Sequence, residues 1–339
     1  MRFCKKDLLA DVLGSPRRLA MPILSAPGIA IIGADPDMVY QQGEMQFKCI
    51  AALAERYPAD LLVTFMDLTV EAEAFGCSVQ YSGAGIPSLS GKLLQESADC
   101  QKLAVPAIGS GRTAEVLHCA AKCAAELPRP VLAGLIGPFS LACRLAGMTE
   151  MLMLCLEEPA LAHLLLHKTS QFCQQYLQAL KQSGSAGAII AEPAAGLISP
   201  EMCREFAADY LHRMITAVRD DAFLLVLHNC GKTDKQIAEL LSTGADALHV
   251  GNAVDILDIL PQMPVDRLLL GNLDPVGSLQ NGRPARVYQE TMALLQKTAP
   301  WPNFILSTGC DVPREVNHEN LEAFFQARAD YNRQVTSAD

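Results

Sequence analysis

The chain has 339 residues, half of them hydrophobic, and its 27 basic and 37 acidic side chains give a formal net charge of −10. With only 6% aromatic residues it offers neither the basic footprint nor the stacking rings of a nucleic-acid-binding protein. No apolar stretch approaches the roughly 20 residues that a membrane-spanning helix needs.

In chain order, the first 20 or so residues, "MRFCKKDLLADVLGSPRRLA", carry Asp7 and Asp11 and lack the apolar segment of a secretory signal. They are expected to form a helical extension of a protein that is not exported. Strand-like apolar runs ending in Gly, Pro, Asp or Asn then recur at 21–28, 61–67, 130–138, 187–196, 223–231, 247–252, 267–275 and 304–313. Between and after them, apolar residues at three-to-four spacing predict helices over 43–57, 113–126, 157–183, 200–219, 233–243, 284–298 and 318–332. Alternating strand and helix implies a parallel sheet, because a parallel neighbour is reached by a crossover that a helix usually makes. Eight such units predict an α/β fold, a (β/α)8 TIM-type barrel, and with no linker in sight the expectation is one domain over 1–339. An open doubly wound sheet is the alternative, and in both folds the residues just past the strands' C-terminal ends face the functional mouth.

Those strand ends carry Asp67, Glu192, His228, Cys230, Asn252, Asn272, Asp274, Cys310 and Asp311. In "AFLLVLHNCGKTD" an apolar run stops at His228, and Cys230 follows two residues on, so both side chains point to one face of an extended chain. An imidazole beside a soft thiolate suits Zn2+, which needs a third protein ligand if one tetrahedral corner is to stay open. Cys310, in "STGCDVP", is the best candidate for it. By itself the pattern also fits a core histidine among buried cysteines. The twelve cysteines have no framework spacing and many sit in apolar helical patterns, as small buried hydrophobes do, which suits a reducing cytoplasm.

Other features take plainer readings. His249, in "ALHVGN", reads as structural, and His163, His167 and His212 as outer-surface helix residues. "GSGR" at 109–112 reads as a loop ahead of the helix at 113. Arg144 and Lys232 are either anchors for an anionic group or solvated surface charges.

The segments "LHNCG", "GNLDP" and "LSTGCDVP", with "FMDLTVEAEAFG" and "GPFSLACRLAG" before them, resemble the uroporphyrinogen decarboxylase superfamily, and within it the zinc-dependent methylcobamide:coenzyme M methyltransferase branch. The likeness spans nearly the whole chain. "GNLDP" and the stretch after Asp67 mark only the superfamily, whereas the His-x-Cys with a late Gly-Cys marks the zinc methyltransferases, and His228, Cys230 and Cys310 fall on their metal-ligand positions. The resemblance implies transfer of a methyl group from a methylated corrinoid (a methylcobamide) to a thiol such as coenzyme M or homocysteine, with Zn2+ holding the thiol as thiolate. Because the chain has no Asp-x-His-x-x-Gly motif, the corrinoid would arrive on a separate carrier protein.

Within that reading, Glu192 and Asp274 are the candidate catalytic residues, and Asp67, Asn252 and Asn272 the candidate cofactor-binding ones. Glu192 could occupy the resting fourth corner or bind loop amides, while Asp67 or Asp274 could orient the histidine or order loops. A uroporphyrinogen decarboxylase is the alternative, and so is a non-catalytic corrinoid-binding relative. Against the decarboxylase, the Arg-rich "MRQAGRY" of those enzymes is replaced here by "MPILSAPGIAIIGAD", which has no Arg to grip a polycarboxylate.

Overall fold

The computed structural model describes residues 3–83 and 85–337, so the outermost two residues at each end of the expected single domain lie outside it. Seven parallel strands make one sheet: β1 (Leu62–Val63), β2 (Val131–Ile136), β3 (Gly187–Ala191), β4 (Leu224–Asn229), β5 (Ala247–Val250), β6 (Leu268–Leu273) and β7 (Phe304–Thr308). Their order in the sheet is their order in the chain. It nowhere reverses, as the order in a doubly wound sheet does.

The first expected strand, 21–28, is different. Ala20 forms an isolated parallel bridge to Leu306, and Pro27–Ile32 is already a helix. Proline explains both limits, since Pro22 has no N–H for a ladder and Pro27 opens a helix at its first turn. Residues 19–23 nonetheless join the two edges of the curled sheet: the Met21 amide donates to the Leu306 carbonyl at 2.9 Å, and the Asp60 amide, just before β1, donates to the Ala20 carbonyl at 2.8 Å.

The expected helices appear as Gly43–Arg56, Thr113–Glu126, Pro159–Gln182, Pro284–Lys297 and His318–Thr336. The 200–219 stretch is broken by a π-helical turn at Arg204–Ala208, and 233–243 shortens to Ile237–Ser242. Helices at Val70–Ala74, Pro138–Ala146 and Met148–Glu157 were not foreseen: the first is only five residues long, and in the other two the apolar residues run too continuously to show a period. The N-terminal extension contains the helix Lys5–Gly14. Among the described residues no single helix is long and apolar enough to cross a membrane.

The strands are buried on both faces. On the outer face Leu225, Leu227 and Leu269 pack beneath helices through Phe139, Phe172 and Phe324. On the inner face lie Leu224 and Val226 of β4, Ala247 of β5, Leu268 and Leu270 of β6, and Ile305 of β7. Side chains alternate along a strand. The next inward positions toward the strands' C-terminal ends are therefore His228, His249, Asn272 and Ser307, and an apolar interior gives way to a polar layer at one mouth.

Candidate metal centre

His228 is buried at the end of β4, Cys230 follows it, and Cys310 lies two residues past β7. One ligand atom from each lies within 4.8 Å of the others, and the His228 Nε2 to Cys310 Sγ distance is 3.8 Å. Nine of the twelve cysteines are buried; Cys230 and Cys310 are, with Cys4, the partly exposed ones. The Cys230 thiol is held well below the usual thiol range, first by a hydrogen bond from Cys310 and then by His228, while Cys310 is pushed up by the same contact and by burial.

The trio lines a cavity of about 190 Å3 whose other walls include Met66, Leu68, Ile86, Arg144 and Asp311. At about 30 Å3 per water in the liquid, that is room for roughly six waters. Arg144 comes from the helix Pro138–Ala146 and forms no ion pair among the described residues. Asp311 stands against the Ser25 hydroxyl, and burial pushes its carboxyl up to about 7. Lys232 is exposed and takes no part in the cavity wall.

Behind His228 lies a second histidine. His228 Nδ1 is 2.8 Å from His249 Nδ1 and 3.3 Å from the His249 carbonyl oxygen. His249 Nε2 is 2.8 Å from Ser307 Oγ, and that hydroxyl donates to the Met21 carbonyl at 2.6 Å. His249 has no exposure, and burial beside His228 holds its pKa well below the ordinary histidine value.

The remaining strand-end residues do not join the trio. Glu192 is fully buried, and its carboxylate accepts from the Phe139 and Ser140 amides at 3.1 and 2.5 Å, at the N-terminus of Pro138–Ala146. Asp67 is ion-paired with Arg112 and accepts from the Thr69 amide and hydroxyl at 2.9 and 2.7 Å. Asp274 caps the turn after β6 through the Val276 and Gly277 amides at 2.9 and 2.8 Å. Asn272 donates to the Gly251 and Val254 carbonyls at 3.0 and 2.9 Å, bracing the loop that carries Asn252. Asn252 itself packs on Gly309, where an added Cβ would lie 2.6 Å from its backbone nitrogen.

Sequence reasoning missed two partners. The "GSGR" loop does precede its helix, but Arg112 is buried and also pairs with Glu73 at 2.5 Å. His249 is structural in the sense expected, yet the residue it supports is His228. A signal existed: in "LHN" and "LHV" each histidine follows an apolar strand run, and the two sit directly opposite in the β4–β5 register. Of the helix histidines, His163 bonds the Tyr210 hydroxyl at 2.9 Å on the outside of the molecule.

Three comparisons bear on this arrangement. Residues 15–331 match the family model described as uroporphyrinogen decarboxylase (URO-D). The chain is 28% identical over 272 residues, 78% of each protein, to the methylcobamide:CoM methyltransferase MtbA of Methanosarcina acetivorans. It is 26% identical over 286 residues, 80% of this chain and 79% of the relative, to the uroporphyrinogen decarboxylase of Aeromonas salmonicida. The fold matches that of a methyltransferase from Methanosarcina mazei with a TM-score of 0.85 at 22% identity, covering 97% of this chain and 99% of that one.

Proposed function

We propose, from the premise that the chain belongs to the uroporphyrinogen decarboxylase (URO-D) family, that it is a zinc-dependent methyltransferase which moves a methyl group from a methylated corrinoid on a carrier protein to a small thiol. The observation that carries this reading is the meeting of His228, Cys230 and Cys310 in one cavity at the mouth of the sheet. The fold we infer is a (β/α)8 barrel in which residues 19–23 act as the remaining stave, forming a single domain in the cytoplasm.

The donor set fits the ion. Nitrogen at about 2.05 Å and sulfur at about 2.3 Å from a tetrahedral zinc stand about 3.6 Å apart, and the His228 to Cys310 distance is 3.8 Å. Three protein ligands leave the fourth corner for substrate, the pattern of a catalytic rather than a structural site. Bound there, zinc would keep the incoming thiol deprotonated at neutral pH. The chain's own residues do the rest. Cys230 holds negative charge at the site, Met66, Leu68 and Ile86 give it an apolar wall, and Arg144 offers a cation without an ion-pair partner among the described residues to an anionic group on the thiol.

The cavity favours this over decarboxylation of a porphyrinogen. Among the described residues Arg144 is the one Arg or Lys on its wall, too little positive charge to hold a macrocycle bearing several carboxylates. Elemental analysis of the purified protein is expected to find about one zinc per chain. Cys230→Ser and Cys310→Ser should lose the metal, together with methyl transfer from free methylcobalamin to 2-mercaptoethanesulfonate, while keeping a native melting curve. A wild-type protein that takes up no zinc on reconstitution, or a Cys310→Ser protein that keeps both metal and activity, would overturn the assignment.

A further inference from the structure

A histidine ligates a metal through a nitrogen that carries no proton, so the tautomer of His228 decides whether its Nε2, the nitrogen facing Cys310, has a lone pair to give. That tautomer is set two hydrogen bonds away, at Ser307. The Ser307 hydroxyl has one proton, and it goes to the Met21 carbonyl at 2.6 Å, a group that only accepts. The Ser307 oxygen must then accept from His249 Nε2 at 2.8 Å, which places a proton on His249 Nε2. A neutral imidazole carries one proton, so His249 Nδ1 is left as an acceptor. The proton in the 2.8 Å contact between the two Nδ1 atoms belongs to His228.

A second contact gives the same answer independently. His228 Nδ1 also faces the His249 carbonyl oxygen at 3.3 Å, and a carbonyl can be satisfied there only by an N–H. A doubly protonated His249 would point its own N–H at that same nitrogen and leave a cation with no exposure and no carboxylate among its hydrogen-bond partners.

We propose that His249 and Ser307 are positioning residues that lock His228 with its proton on Nδ1 and its Nε2 lone pair turned toward the two cysteines. The fold makes this possible through register. His228 and His249 are paired across β4 and β5, Ser307 lies on the inward face of β7, and Met21 comes from the segment joining the sheet's edges. Four stretches of chain far apart in sequence thus form one hydrogen-bonded line. The usual partner behind a metal-bound histidine is a carboxylate, carbonyl or water. A neutral imidazole in that place orients the ring without adding negative charge behind it. The use of this tautomer rests on the metal reading above; the tautomer itself does not.

The test begins on the unmodified protein. Nitrogen-15 spectra of histidine-labelled material, with and without zinc, should assign an Nδ1–H tautomer to His228 and an Nε2–H tautomer to His249. The opposite assignment for either ring would overturn the proposal. Zinc affinity by competition with a chromophoric chelator supplies the second readout. His249→Phe removes the acceptor and should weaken binding about 10- to 100-fold, the range typical for lost partners of metal-bound histidines. His249→Asn, whose side-chain oxygen can stand near the place of Nδ1, should recover most of that affinity. Ser307→Ala, which leaves both rings in place, should weaken binding several-fold and keeps the test open if His249→Phe fails to fold. Wild-type affinity in both His249→Phe and Ser307→Ala, or no difference between His249→Phe and His249→Asn, would refute the positioning role. A wild-type protein that takes up no zinc would sink the metal reading, while its spectra would still decide the tautomers.

Discussion

Replacing Glu192 by Gln separates a carboxylate that works at the metal from one that holds a helix. Two effects oppose each other at this residue. Amide and hydroxyl hydrogen bonds from Phe139 and Ser140, at the N-terminus of Pro138–Ala146, favour the charged form. Complete burial disfavours it, and burial wins, pushing the carboxyl from 4.5 up to about 7. Such a group stays protonated in the folded protein over a range where the unfolded chain has already ionised. Its stabilising contribution is therefore whole below about pH 4.5 and is lost as pH rises through about 7. At 1.36 kcal/mol per unit, a raise of about 2.5 units corresponds to on the order of 3 kcal/mol lost across that window. Gln does not titrate, and it offers one acceptor where the carboxyl offers two, at a cost of about 1 to 3 kcal/mol. The wild-type advantage over Glu192→Gln in urea titrations should thus shrink by on the order of 3 kcal/mol between pH 4.5 and pH 8. Glu71 and Asp311, whose carboxyls are also raised to about 7, are common to both proteins and cancel. Zinc content should be unchanged, because Glu192 is not among the clustered ligand atoms. An advantage that grows with pH would mean that the helix N-terminus, not burial, governs the group. Loss of zinc in the variant would move Glu192 into the metal site.

Two further outcomes follow from the walls of the same mouth. Gly309→Ala would place a Cβ 2.6 Å from the Asn252 amide nitrogen, which as backbone cannot step aside, so the chain must shift at the residue before Cys310. Zinc affinity by chelator competition should fall about tenfold or more, with about 1 to 3 kcal/mol of overpacking cost in denaturation; an unchanged affinity would refute the coupling of Gly309 packing to the position of Cys310. Arg144→Met should raise KM for 2-mercaptoethanesulfonate by about 10- to 100-fold, the worth of a charged hydrogen bond of about 1.5 to 3 kcal/mol, and leave that for neutral 2-mercaptoethanol alone. Equal effects on both thiols would remove Arg144 from acceptor binding.

Much of the molecule was legible in one dimension because its signals are local. Apolar runs broken by Gly, Pro, Asp and Asn mark all seven sheet strands and the order in which they pair, since each parallel neighbour is reached by the next helix. The period-two alternation of Leu224, Val226 and His228 already turns the histidine inward. The His-x-Cys spacing and the late Gly-Cys were likewise readable, and the cluster of His228, Cys230 and Cys310 brings those residues together.

What the chain alone could not decide are relations between strands. Whether 21–28 would be a full strand depended on Pro22 and Pro27 and on the edges it had to join, and it became a single bridge followed by a helix. Nine strand-end residues looked equivalent in sequence, yet His228, Cys230, Cys310 and Asp311 are the ones that line the cavity; Glu192, Asp67 and Asp274 are drawn to helix and turn amides or to Arg112. The partner of His228 was invisible for the same reason. His249 lies 21 residues away, Ser307 another 58 beyond it, and their hydrogen-bonded line exists because parallel strands hold equal heights on one inner face. Periodicity tells a residue which face it occupies. Only the register of neighbouring strands tells it whom it meets there.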